Sequence, residues 1–125
     1  MTNKSTKKEE VKGEIQEVGK ATPEQLAAWK KEYEKDGPIK IIKLIVSPTE
    51  HSYGYLKPAG GSRIIVAKAM SLHHQKLILE TGEFILNNCW LGGDPRMTTD
   101  PKMSINAATF ASQTIDFMQG SMENA

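Results

Sequence analysis

Residues 87–94, NNCWLGGD, constrain the fold more than any other stretch, because a large aromatic, a thiol, two glycines and a carboxylate are compressed into one junction. The segment before them repeats apolar side chains at helical spacing, with Ile78, Ile85, Leu86 and Cys89 as one set and Leu79, Leu86 and Trp90 as another. The spacing predicts a long apolar helix, from about His74 to Leu91, that stops at this junction. Gly92 or Gly93 can take the left-handed conformation that closes a helix, and Asp94-Pro95 turns the chain away. Trp90 then has two readings. It either anchors a buried helix end or stands on an exposed recognition surface, where aromatic side chains are enriched.

A chain of 125 residues suits one domain. Sixteen basic and fifteen acidic side chains leave a formal charge of +1, so no strong field directs the protein to nucleic acid or to an anionic membrane. The one cysteine, Cys89, cannot form an internal disulfide, which is compatible with a reducing compartment. No apolar run is long enough to span a bilayer and no apolar signal core opens the chain, so neither insertion nor classical secretion is expected.

Residues 1–21 read as a charged flexible tail. Lysines and glutamates are interleaved, and Val11, Ile15 and Val18 are its only large aliphatics. Their i, i+4, i+7 spacing allows a helix induced by a partner. Residues 22–120 read as a single α+β domain, and residues 121–125 as a flexible C-terminus. Thr22-Pro23-Glu24-Gln25 matches a capping box with proline at the first helical position. Leu26, Trp29 and Tyr33 then form one apolar stripe, and Asp36-Gly37-Pro38 should end this helix near Lys35.

IKIIKLIV, residues 39–46, is rich in β-branched side chains and too short for an independent buried helix, which favours a strand. Ser47-Pro48-Thr49-Glu50 is a turn, and the run around Tyr53 and Tyr55 alternates with period two. An antiparallel hairpin follows. Two strands alone are marginal in water, so the hairpin must rest on helices or join a sheet from another chain, and its free edges can accept a partner strand. Ile42 and Leu44 are read as outward positions on it. Beyond the hinge at residues 58–61, Ser62 can cap a largely buried helix reaching about Leu72, and Asp100-Pro101 starts a last helix that ends by Gly120. The fold class is therefore an N-terminal helix, an antiparallel β-hairpin and a three-helix C-terminal bundle. Gly82 marks a bend or a close helix contact inside the second helix of that bundle.

Chemistry is sparse. His73 and His74 are adjacent and point about 100° apart on a helix, and with His51 and Cys89 they show no zinc-ligand spacing. Cys89 lies on an apolar face, where a thiol acts as a small hydrophobe. Gly60-Gly61-Ser62-Arg63 resembles a piece of an anion-binding loop without the phosphate-loop lysine pattern. No catalytic residue, cofactor or metal site is assigned.

The order of helix, hairpin ending in YLKP at residues 55–58, apolar helix and the block LNNCWLGGD at residues 86–94 resembles a family of small phage and prophage proteins of the tail assembly chaperone-like kind. The likeness covers roughly residues 22–119, and the tryptophan, glycine, glycine, aspartate block is its most specific part. It implies a non-enzymatic protein that keeps the long tape-measure protein soluble until the tail tube polymerises, acting in the host cytoplasm. A structural subunit retained in the virion is the alternative, and a small enzyme is a third. Contact with the tail protein, or self-association, is expected through Ile42, Leu44, Tyr53, Tyr55 and Trp90.

Overall fold

The computed structural model describes residues 14–125, in which four strands and five α-helices form a mixed α+β fold. The sheet is organised around β3 (Glu50–Leu56). β2 (Lys40–Ser47) lies antiparallel on one edge of β3, in register from Lys40 opposite Leu56 to Ile45 opposite His51, with a bulge at Val46 before Ser47 meets Glu50. Two short strands share the other edge. β1 (Gln16–Val18) runs parallel beside Glu50, His51 and Ser52, and β4 (Trp90–Gly93) runs antiparallel beside Gly54, Tyr55 and Leu56. The expected hairpin is thus the middle of a wider sheet.

Three of the five helices begin at side-chain caps. α1 (Pro23–Glu32) starts at Thr22, whose Oγ1 accepts the Gln25 amide at 3.1 Å, and α2 (Arg63–His74) at Ser62, whose Oγ accepts the Ile65 amide at 3.3 Å. After α3 (Ile78–Cys89) and the single turn α4 (Arg96–Thr99), Asp100 opens α5 (Pro101–Ala111) by accepting the Met103 amide at 2.9 Å. Each cap satisfies an amide that the first helical turn leaves unpaired.

The core lies between one face of the sheet and α3 and α5. Ile42, Leu44 and Leu56 meet Ile85, Leu86 and Cys89 of α3, Met97 of α4, and Ala107, Ala108 and Ala111 of α5. Small residues on α5 let it approach α3 closely. A Cβ on Gly82 would overlap the Ala108 carbonyl, so Gly82 serves helix contact and not a bend. The other sheet face carries Tyr53 and Tyr55, covered by residues 17–29. Trp29 of α1 stacks on Tyr55 at 5.4 Å between ring centroids, and the Tyr53 hydroxyl donates to Glu17 at 3.2 Å.

Several expectations are corrected. The part of the expected tail at residues 1–13 lies outside the described residues, but Gln16–Val18 is a strand, held because its backbone pairs with β3. The apolar run continued as one helix from His74 is instead broken at Lys76, which has a positive φ of 62°. The junction at residues 90–93 is not a glycine-capped helix end. Trp90 is already extended, and Gly93, with φ 136°, lies in β4, where a side chain would collide with the Tyr53 carbonyl and the Gly54 backbone. Strand pairing to β3 outweighs helix continuation because β3 would otherwise leave half an edge unpaired over the core.

The C-terminal helices differ from a simple three-helix bundle, since β4 and α4 intervene and α3 packs on both α2 and α5 while those two share no comparable contact. α2 is a surface helix with only Ala69 buried. The last helix ends at Ala111, continues as a single 3-10 turn (Ser112–Thr114) and is irregular beyond. The hydroxyls of Ser112 and Thr114 donate to the Thr109 and Ala111 carbonyls at 2.7 Å, which favours a tightened turn over continued α-helix.

Candidate functional site

None of the residues assigned to partner contact forms a shared exposed surface. Ile42 is 4% and Leu44 8% exposed on the core face, because period-two alternation sends them toward the helices together with Gly54 and Leu56. They are corrected from outward positions to core residues. Tyr53 and Tyr55, 8% and 2% exposed, point to the opposite face beneath the N-terminal segment. Trp90 is half-buried against the core cluster, its indole filling the notch above Gly54 that Met97 also occupies. The structure therefore brings Ile42, Leu44 and Trp90 to one core and leaves the tyrosines across the sheet from them.

The longest unpaired edge of the sheet among the described residues is the outer edge of β2. β3 has neighbours on both sides, whereas β2 has only β3 among the described residues, so one line of its backbone amides and carbonyls has no strand partner. Beside that edge runs a groove of about 420 Å³ between β2 and α5, lined by Lys43, Leu44, Ile45, Val46, Lys102, Met103, Asn106 and Phe110. Ile45 is 63% and Phe110 48% exposed, and Val46 is similarly open. Met103, Asn106 and Phe110 recur at i, i+3 and i+7, so one face of α5 forms the groove wall. No acidic side chain lines it. Lys40 and Lys43 interrupt the apolar run of β2, and lysine of this kind is the sequence signal of an edge strand.

A partly buried ionic cluster beside β1 and β4 was not evident in the sequence. Asp94, 2% exposed, accepts the Ser52 hydroxyl at 2.7 Å, the Arg96 amide at 3.0 Å and the Arg96 guanidinium at 2.8 Å, and the same guanidinium reaches Glu50 at 2.6 Å. Burial raises the Asp94 pKa, but hydrogen bonds from Arg96 and Ser52, with the Arg96 charge, outweigh it and hold the carboxyl below its usual range. The two carboxylates in turn raise the Arg96 pKa. Every strong acceptor of Asp94 is occupied, and Ser52 is fully buried with no histidine or lysine among its side-chain hydrogen-bond partners. The arrangement fixes β3 to the turn after β4 and offers no activated nucleophile.

Cys89 is fully buried at the end of α3, and burial pushes its thiol pKa up despite the nearby Lys57. A protonated, enclosed thiol is a poor nucleophile. No three or more histidine, cysteine, aspartate or glutamate side chains gather into a metal-binding group among the described residues, and His73 instead packs on Phe117 at 4.8 Å. No helix among the described residues is long and apolar enough to cross a membrane. Compared with protein-family models, curated proteins and solved structures, the chain matches none.

Proposed function

We propose that this protein works by binding, as an adaptor of the tail assembly chaperone-like kind, and that it holds an extended segment of a tail protein such as the tape-measure protein along the open edge of β2. The observation that carries the reading is the unpaired β2 edge flanked by an apolar groove. Strand addition to such an edge supplies affinity through backbone hydrogen bonds, while alternate side chains of the guest enter the neighbouring groove. The contact moves from the side chains first assigned to the hairpin, which are internal, to its edge. Its setting would be the host cytoplasm during assembly.

Co-expression with the tape-measure protein tests the reading. Val46→Lys combined with Phe110→Glu alters two exposed groove residues, so the double variant should keep the wild-type thermal midpoint and lose co-purification. Retention of the partner by a folded double variant would rule out the β2 groove. Mass spectrometry of purified particles separates the alternative, because a virion subunit is present in stoichiometric amount and a chaperone is absent.

A further inference from the structure

We infer that the guest strand at β2 is apolar on the side facing α5 and carries an acidic side chain beside Lys43 on the opposite side, an inference that rests on the strand-acceptor reading above. The side facing α5 is set by Leu44, Val46, Met103 and Phe110, so guest side chains pointing there gain by being apolar. The opposite face is set by the β2 residues paired with the tyrosines and histidine of β3. Ile41 lies opposite Tyr55, Lys43 opposite Tyr53 and Ile45 opposite His51, which puts a lysine between two exposed isoleucines. The Lys43 ammonium lies 5.9 Å from the Tyr53 ring centroid on that face, and Lys102 stands on the groove wall.

Lys43 is the one charged side chain that Lys40–Ser47 places on that face, so a guest carboxylate beside it meets attraction and a guest lysine meets repulsion. The same lysine argues against a second copy of this chain as the guest. Pairing the full length of β2 with itself about a two-fold axis sets the two Lys43 side chains opposite or diagonal to one another, where like charges destabilise.

The probes are two nine-residue peptides, one alternating valine with glutamate and the other valine with lysine, titrated into isotopically labelled full-length protein and followed by amide chemical shifts. The glutamate peptide should bind about three- to ten-fold tighter at low salt, since an attractive contact at Lys43 replaces a repulsive one. Its shifts should concentrate in Lys40–Ser47 and along the Met103, Asn106 and Phe110 face of α5. Lys43→Glu should invert the preference. Equal binding of both peptides at β2 overturns the acidic guest and leaves the strand-acceptor reading standing. If neither peptide shifts the β2 amides, both fall.

Discussion

Asp94 shows how one carboxylate can tie distant parts of a small fold. Its partners Ser52 and Arg96 belong to β3 and to the start of α4, and Arg96 extends the link to Glu50. Asp94→Ala should cost about 1 to 3 kcal/mol in urea unfolding, because it strands a buried hydroxyl and removes the charge facing Arg96. The pH dependence follows from the direction of the shift. The folded pKa of Asp94 is depressed, so its contribution is complete above the unfolded carboxylate value of about 3.9 and is lost as pH falls through the lower folded value. Wild type should therefore lose stability more steeply than Asp94→Ala below about pH 4, and parallel curves would show that Asp94 is not the titrating group. Gly82 gives a second test with an opposite sign to intrinsic propensity. Alanine in an open helix is better than glycine by about 1 kcal/mol, yet here its methyl meets the Ala108 backbone, so Gly82→Ala should destabilise by about 1 to 3 kcal/mol. Trp90→Ala should cost about 3 to 5 kcal/mol by emptying the notch over Gly54. A normally folded Trp90→Ala protein that only loses its partner would return Trp90 to the recognition surface.

At the scale of elements, three of the five helix starts were legible and sheet membership beyond the hairpin was not; α3 and α4 begin without a side-chain cap to mark them. Thr22, Ser62 and Asp100 signal helices through local chemistry that needs nothing from the rest of the chain. The hairpin was also local, since β-branched density and alternation in residues 39–56 suffice. β1 and β4 were missed for one shared reason: each is three or four residues long and gains its strand character only by pairing with β3. Trp90 even continues the helical spacing of Ile85, Leu86 and Cys89, so no pattern within the segment marks where α3 gives way to β4. The Asp94 cluster was hidden because its two halves, Glu50 with Ser52 and Asp94 with Arg96, are separated by more than forty positions along the chain. The placement of β1 reverses an expectation about the N-terminus. Deleting residues 1–20 removes β1, the Glu17 contact with Tyr53 and the Lys20 ammonium above that ring, and should lower the thermal midpoint by about 5 °C or more. An unchanged midpoint would mean that β1 adds nothing to the fold.

For the whole molecule, the asymmetry of the sheet is one edge formed by the eight-residue β2 and the other split between the short strands β1 and β4. The β1 and β4 pair blocks one side of β3, while β2 exposes Ile41, Ile45 and Val46 next to unpaired backbone. Such an edge is a template for association with other copies, and edge strands commonly prevent it with lysine. Lys43 occupies the position where that protection is strongest, near the middle of Lys40–Ser47 and facing the side on which the isoleucines are exposed. Wild type should therefore sediment as a monomer at moderate ionic strength. Lys43→Val keeps the β propensity of an exposed position, so the variant should fold, but its mass should rise with concentration as β2 pairs with β2. High salt should push wild type weakly in the same direction, because screening over about 8 to 10 Å reduces the repulsion between facing lysines. Sedimentation velocity across a range of concentrations decides the matter. A Lys43→Val protein that stays monomeric at every concentration would show that the lysine does not guard the edge, and would direct attention to the α5 wall as the element that excludes a second copy.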